Sequence, residues 1–600
     1  MNNIFIFSKR RLYLIAIFGV LLVAYYFIFV EPFFPNQSGG LGHDYEMWFP
    51  RMLAGVYYFV TNGFTVIPWF TPSCCGSTVL FANPQDLFFS VPQFLNFFLD
   101  PIVSIKLTFM LFATLGLCGT YLLLRHTFAL QEGTAIFGAS LFLFNGFFAY
   151  RMIIGHLGYH SFMLLPLICY FLLQPLTTSN RIKELAMSVI AALLYSYVFY
   201  SGGVHLLLPI ALAVLAVFLV AGINHRPLRY PVYRAGVVVI LTLLICAAKL
   251  HVALSTLGNF NRDYYPLPGI DNIFYAIWVP IKSLFFSAYT WVDTNRIFTN
   301  LQWTIQRHEL ELSLSFIPLA LMLWGLANCF RGKLKINKKQ CLFLLSLLII
   351  CLVPLAINFY TPGWNLLLKQ IPIIKNSAIL VRWYAIYIPL VVICAAVVID
   401  KLKFNRYLVP GLILLLLFVK AYEDKTYYAQ QGYNPQLAVY AHQQVMQTHT
   451  VPAIAEISST TSITTAEGIK MHGRDEIMAF GLSQINCHES LFGYRHEEFK
   501  QKELLQVGQS VTQLTDGRFN MKNPACYVFP SENNCVPGDH FRVDQKEELL
   551  SFISYKGYLF SKPKTQHISN WLSLITFLMC GGFLLLCCLQ GVRVSYRQQS

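Results

Sequence analysis

Residues 235–258 read AGVVVILTLLICAAKLHVALSTLG, a stretch in which Lys249 is the one charged side chain. A run this long and apolar is a membrane-spanning helix, because about 20 residues rising 1.5 Å each cross the hydrocarbon core of a bilayer. Lipid offers no partners to peptide groups, so the backbone must satisfy itself within the helix. Comparable runs recur near 12–30, 102–124, 134–151, 161–176, 185–203, 204–222, 310–330, 341–360, 384–400, 407–422 and 571–592, about twelve in all. With 600 residues, 56% of them hydrophobic and only 12% charged, the chain is expected to be an α-helical polytopic membrane protein, and no soluble class competes.

Orientation follows from where the short breaks carry cations. Lys9-Arg10-Arg11, Arg125, Arg181 with Lys183, Arg226 with Arg229 and Arg234, Arg331 to Lys339, Lys401 with Lys403 and Arg406, and Arg593 with Arg597 fall in alternate breaks, which are therefore placed in the cytoplasm together with both termini. The net charge of +15 is largely this topogenic charge, so no nucleic-acid partner is expected. The first run is long and no small-residue cleavage site follows it, so it is expected to stay as an anchor.

The remaining breaks face outward: 31–101, 152–160, 259–309, 361–383 and the long segment 423–570. Three parts result: a membrane domain over 1–422, a small extracytoplasmic α/β domain over 423–570, and a final span with a cytoplasmic tail over 571–600. In the first outer loop, residues 45–62 carry Met47, Trp48, Phe49, Leu53, Tyr57 and Phe59, which fits a helix lying along the membrane interface. In the outer domain, Asn434 to His449 and Glu497 to Val507 read as helices, and Val451 to Ile457 and Ser462 to Ile469 as strands. Cys526 and Cys535 bracket a turn through Pro530 and Asn533-Asn534, so a disulfide is expected there if the compartment is oxidising, with two unpaired thiols as the alternative. No paired Cys and His spacing marks a metal site.

Chemistry is sought on the outer face. Asp44, in Gly42-His43-Asp44-Tyr45-Glu46, is the candidate catalytic base or substrate-orienting carboxylate, with the capping of the following helix as the plain alternative. Glu46 joins it in a two-carboxylate metal site only if the segment is extended, since on a helix it points about 200° away. His156 and His160 fall in the second outer loop near Arg151, where each either contacts a phosphate or acceptor or is a satisfied structural ring. Lys249 lies about nine residues inside its run, about 13 Å deep, where a cation snorkels, pairs or faces a polar cavity. An anionic headgroup or leaving phosphate suits it, and Arg262 beyond the helix can share that role. Lys369, Lys375 and Arg382 are cations on the face where topology does not call for them, which also points to an anion, with a solvated rim charge as the alternative for Lys369 and Lys375. No nucleotide-binding loop, zinc-protease motif or nucleophile elbow has the required flanks.

An acidic residue in the first outer loop, a following interfacial helix, many short-looped helices and a distal outer soluble domain together resemble the GT-C superfamily of integral-membrane glycosyltransferases, and within it the bacterial YfhO-like membrane proteins. Asp44 with its aromatic neighbours, Phe81-Ala82-Asn83-Pro84-Gln85, Gly155-His156, Lys249 followed by Arg262, and Ile371-Pro372 leading to Arg382 carry the resemblance over roughly residues 12–400. The resemblance implies a fold of GT-C type in the bacterial inner membrane, and an inverting enzyme whose donor is a polyprenyl-phosphate-linked sugar. It implies that Asp44 deprotonates or orients an acceptor hydroxyl while Lys249, Arg262 or Arg382 stabilises the leaving lipid phosphate. The acceptor is expected to be an envelope glycan, glycolipid or protein. The second outer loop lacks the acidic residue that metal-dependent members use, offering His156 and His160 instead, so no metal cofactor is expected. A lipid or polysaccharide flippase and a noncatalytic envelope-assembly factor are the rival functions.

Overall fold

The computed structural model describes residues 9–597, apart from 176–180, 225–227, 260–265, 287–290, 302–304, 332–336, 372–373, 375–376, 378, 402–406, 465–467, 469 and 486–504. Nine helices among the described residues are long and apolar enough to cross a membrane: Arg11–Phe29, Pro101–Thr127, Glu132–Ile154, Arg181–Tyr200, Val204–Ile223, Arg229–Asn259, Lys338–Asn358, Leu380–Lys401 and Lys564–Gln590. The other three expected spans correspond to shorter apolar helices, Leu157–Leu173, Ile317–Asn328 and Leu408–Tyr422. The count of about twelve thus separates into nine full-length helices and three short ones. At 1.5 Å per residue the helix Leu408–Tyr422 reaches only about 22 Å, short of a hydrocarbon core of about 30 Å.

One interruption positions the site. The apolar run 132–154 is two helices, Glu132–Leu143 and Gly146–Ile154, broken where Asn145 caps the second by accepting from the Phe148 amide. The amide of Gly146 instead donates to the carbonyl of Leu312 at 2.9 Å. Leu312, Ser313 and Leu314 donate in turn to the carbonyls of Ser283 and Leu284, so an extended segment is held between two helices, with Ser313 and Ser315 at positive φ. Its peptide groups are satisfied by neighbouring backbone, which is the condition for irregular chain among apolar helices.

Buried ions brace the bundle elsewhere. Arg234 pairs with Glu184 and donates to the carbonyls of Phe171, Leu172 and Gln174, filling the end of the helix Leu165–Leu173 where four carbonyls lack helical partners.

The helix over 45–62 forms as Tyr45–Asn62, but it does not lie along an interface. Tyr45, Trp48, Phe49, Met52, Leu53, Val56 and Tyr57 are buried by protein. The outer segment is also not an independent domain with its own core. Leu53, Tyr57, Phe81 and Val252 share one apolar cluster with Ile454, Met478, Tyr527, Phe541 and Tyr555. Hydrogen bonds reinforce the seam: Ser483 Oγ to the Pro72 carbonyl at 2.6 Å, Asn62 Nδ2 to the Tyr555 carbonyl at 2.7 Å and His442 Nε2 to the Asn96 carbonyl at 2.7 Å.

Within the outer segment the helix Gln436–Thr448 forms, the first expected strand is confined to Glu456–Ser458, and the second begins as Ser462–Thr464, with 465–467 and 469 outside the described residues. The first pairs parallel with Leu482–Gln484 and antiparallel with Gln509–Ser510. A second small sheet orders His540–Arg542, Arg518–Lys522 and Leu514–Thr515. Most of the expected helix at 497–507 lies outside the described residues. Cys526 and Cys535 are joined in a disulfide with Cα atoms 5.9 Å apart, and Cys75 is also disulfide-bonded.

Candidate active site

Two glycines bring Asp44 to the end of the helix Gly146–Ile154. Gly155 ends that helix at φ +111°, and a Cβ on it would stand 2.5 Å from the Tyr45 amide nitrogen. A Cβ on Gly42 would stand 2.2 Å from the Ile153 carbonyl. Both must be glycine for the two segments to touch, and the Asp44 amide then donates to the Ile154 carbonyl at 3.0 Å.

This contact faces Asp44 toward His156, with Asp44 Oδ2 2.6 Å from His156 Nε2. Asp44 begins the helix Tyr45–Asn62 without making a side-chain cap, so its carboxylate is turned to the histidines rather than to its own backbone. Its side chain stays 29% exposed, whereas that of the nearby His308 is buried at 3%. Burial alone would raise the Asp44 carboxyl. The charge and hydrogen bond of His156, with His43 behind, overcome that and hold it well below the usual carboxylate range. His308 is pushed down to about 4, chiefly by burial, and is therefore a neutral ring at pH 7.

Next to His308, Glu309 is buried between two guanidiniums. Arg151 Nη2 donates to its Oε2 at 2.9 Å, and Arg382 Nε reaches Oε2 at 2.9 Å and Oε1 at 3.1 Å. Burial opposes the charge on Glu309, but Arg382 and then Arg151 hold its carboxyl far below the usual range. Two cations on one carboxylate leave this edge net positive beside Asp44. Arg382 is the accessible one, its side chain 16% exposed against 0% for Arg151. Tyr159 stacks near both guanidiniums, at 5.1 and 5.5 Å.

Asp44 thus contacts His156 and lies within electrostatic reach of Arg382, whereas Glu46, His160 and Lys249 are engaged elsewhere. Glu46 sits in the first turn of a helix, as its spacing forbids for a two-carboxylate site, and pairs with Arg474 of the outer segment at 2.6 Å. His160 is fully buried, bonded to the Leu157 carbonyl and, at 2.7 Å, to Tyr197 Oη. Lys249 does not snorkel; it is buried with Nζ 3.5 Å from the Asp86 carbonyl and 5.9 Å from the rings of Phe199 and Tyr200. Lys369 lies in the last turn of the helix Pro362–Gln370. Arg262 and Lys375 lie outside the described residues.

His308 and Glu309 carry no expectation from the sequence. The signal for them is Arg307-His308-Glu309-Leu310-Glu311, four ionisable side chains in five positions at the foot of an apolar run. With His308 in place, Asp44, His156 and His308 each offer one donor atom, all within 4.8 Å of one another. Carboxylate plus two imidazoles is a donor set that zinc accepts, provided the atoms draw in to about 3 to 3.5 Å apart, as bond lengths near 2.0 to 2.1 Å require.

No protein-family profile matches the chain, and no curated protein is similar to it in sequence. Among solved structures it is similar to the arabinofuranosyltransferase AftD from Mycobacteria at 14% identity and a TM-score of 0.42, over 80% of this chain and 32% of that one. It is also similar to the Archaeoglobus fulgidus oligosaccharyltransferase in its apo form, at 15% identity and a TM-score of 0.38, over 73% of this chain and 58% of that one. In complex with an inhibitory peptide and a dolichol-phosphate, the oligosaccharyltransferase AglB of that organism gives 12% identity and a TM-score of 0.36, over 74% and 60%. The chain spans about a third of the length of AftD and about three fifths of that of the oligosaccharyltransferase.

Proposed function

We propose that the chain is a membrane glycosyltransferase that moves a sugar from a polyprenyl-phosphate donor to an acceptor on the extracytoplasmic face. The observation that carries this reading is the juxtaposition of a charged, partly open carboxylate, Asp44, with a cationic edge ending in the accessible Arg382. A hydroxyl nucleophile needs a base and a departing phosphate needs a fixed cation, and here the two lie within electrostatic reach of each other. In the proposed reaction the acceptor oxygen bonds to the anomeric carbon as the bond from that carbon to the phosphate oxygen breaks. The hydroxyl proton passes to Asp44, and the lipid phosphate leaves against Arg382. A single displacement inverts the sugar carbon. Glu309 and Arg151 keep the Arg382 guanidinium oriented, and His156 orients Asp44.

A divalent cation is the second reading, favoured by the three converging donors of Asp44, His156 and His308. Bound there, it would polarise the acceptor hydroxyl as a Lewis acid. The expected bacterial inner membrane, the outward-facing site and an envelope glycan, glycolipid or protein as acceptor belong to the same proposal.

The test uses purified protein in lipid with radiolabelled polyprenyl-phosphate sugars, comparing wild type with Asp44→Asn. Sugar release that Asp44→Asn abolishes while donor binding survives is the expected result. No binding or release across the panel, with acceptors present, overturns the proposal in favour of a flippase or assembly factor. Loss of release on chelation, restored by a divalent cation, selects the metal form; release indifferent to chelator assigns His156 and His308 to Asp44 alone.

A further inference from the structure

The outer break 259–309 contains an apolar helix, Ile273–Phe285, that is not among the full-length spans. Its 13 residues, rising 1.5 Å each, reach about 20 Å, too short to cross a hydrocarbon core of about 30 Å. Both of its ends are tied to neighbouring membrane helices. Just before it, the Ile270 amide donates to the Asn358 carbonyl at 2.8 Å and the Ile270 carbonyl accepts from the Tyr360 amide at 2.9 Å, which fixes its start beside the end of the span Lys338–Asn358. At its far end the Ser283 carbonyl accepts from the Leu312 and Ser313 amides and the Leu284 carbonyl from the Leu314 amide, just ahead of the helix Ile317–Arg331. Both attachments lie at the helix ends away from the cationic break 331–339. A helix strung between the same-side ends of two membrane helices runs along the membrane face rather than through it.

One face of this helix is covered and the other is open. Ala276, Val279, Pro280 and Ser283 are buried, whereas Ile273, Phe274, Ile277 and Trp278 share the opposite face and are exposed, Phe274 by 80%. The one charged side chain of the helix, Lys282, comes only in its last turn. Apolar side chains this large in one row mark an interaction surface. The helix packs against Ile317–Arg331 and Lys338–Asn358, and the exposed side of the latter carries Leu345, Leu348 and Leu352, as a span turned to lipid does. The open row therefore continues the lipid-facing exterior of the span to which it is tied.

We propose that Ile273–Phe285 is an anchor laid in the outer leaflet, with Ile273, Phe274, Ile277 and Trp278 among the upper acyl chains of the phospholipids and the opposite face on protein. Amphipathic helices bind a membrane in this way, with the apolar face sunk about 5 to 10 Å into the boundary between headgroups and chains, and Trp is favoured at that level. The anchor and the candidate active site share one support. The segment 312–314 that bonds to Ser283 and Leu284 begins three residues after Glu309, and its Leu312 carbonyl takes the Gly146 amide at the start of the helix that carries Arg151. The membrane surface is thus the partner of this helix whatever reaction the site performs.

The test reconstitutes the full chain in phosphatidylcholine vesicles brominated either at acyl carbons 6 and 7 or at carbons 11 and 12, and takes the emission of Trp278 as the difference between wild type and Trp278→Phe. The expected result is that this component is quenched about twofold or more strongly by the shallower bromines and is indifferent to iodide in the water. Phe274→Trp in the otherwise unchanged chain, read as added emission, should respond in the same way and gives an independent reporter if Trp278→Phe does not fold. Stronger quenching by the deeper bromines places the helix inside the core, and quenching by iodide alone places its open face in water. Quenching by neither means that protein covers the row, a second copy of the chain included. Each of these three results overturns the proposal.

Discussion

Replacing Glu309 by Gln should destabilise the whole bundle, because it leaves two guanidiniums buried without their shared anion. Arg151 and Arg382 both donate to this carboxylate, and the Arg151 side chain is 0% exposed. Removing one partner of a buried ion pair costs about 3 to 5 kcal/mol, because the remaining charge has no compensation. The amide of Gln keeps one acceptor oxygen but turns a donor toward the second guanidinium, which places the expected loss toward the upper end. Spread over the unfolding entropy of a chain this long, a loss of about 5 kcal/mol lowers the melting temperature by about 4 °C. The assay is thermal unfolding in detergent, followed by tryptophan fluorescence, with a companion variant in which Glu309→Leu, Arg151→Met and Arg382→Met are combined. Apolar replacement of a complete buried ion cluster is close to neutral, so the triple variant should recover most of the melting temperature while losing sugar release. An unshifted Glu309→Gln, or a triple variant at least as unstable as the single one, would refute the reasoning.

Other outcomes follow from the same contacts. Glu476, buried against Tyr433 Oη with Glu46 nearby, is pushed up to about 7, chiefly by burial, from an ordinary value of 4.5. Between those two pH values the folded chain holds a proton that the unfolded chain has released, so stability should fall by about 3 kcal/mol as pH rises from 4.5 to 7 and stay level above. Glu476→Gln should flatten that slope in denaturant titrations. Removing the Cys526–Cys535 bridge by Cys526→Ala with Cys535→Ala should cost about 2 to 3 kcal/mol, read as a lower urea midpoint for the chain. Lys249→Met should destabilise the chain by depriving Asp86 of its neighbouring cation, and adding Asp86→Asn should restore part of the loss in a double-mutant cycle.

Helices were readable from the sequence because their cause is local: an apolar run of membrane length has one way to satisfy its backbone. Asp44, Gly155-His156 and Arg382 stand out as candidates in the sequence because each is polar where its surroundings are apolar or its side of the membrane calls for no charge. What joins them was not readable. Arg151 meets Glu309 across 158 positions, Arg382 meets it across 73, and Gln431 meets His43 across 388. No periodicity records a contact of that separation. The helix Tyr45–Asn62 has the composition of an interfacial helix, yet the outer segment covers it, since burial by lipid headgroups and burial by protein select the same aromatic side chains. Lys249 is read from the sequence as a cation too deep to stand alone and as a partner for an anionic headgroup or phosphate; in the structure its neighbour is Asp86 of the first outer loop.

The Arg151–Glu309 pair also sets a problem for the ribosome. Translation at about 5 to 20 residues per second takes roughly 8 to 30 s to cover the 158 positions between the two residues. For that interval the half-made chain carries a guanidinium in a segment already delivered to the membrane, while its carboxylate does not yet exist. Arg382 is later still, 73 positions beyond Glu309. The centre of the site is therefore among the last parts to assemble, and the helix Gly146–Ile154 must wait with its cation unpaired by Glu309 until the downstream half of the protein arrives to enclose it.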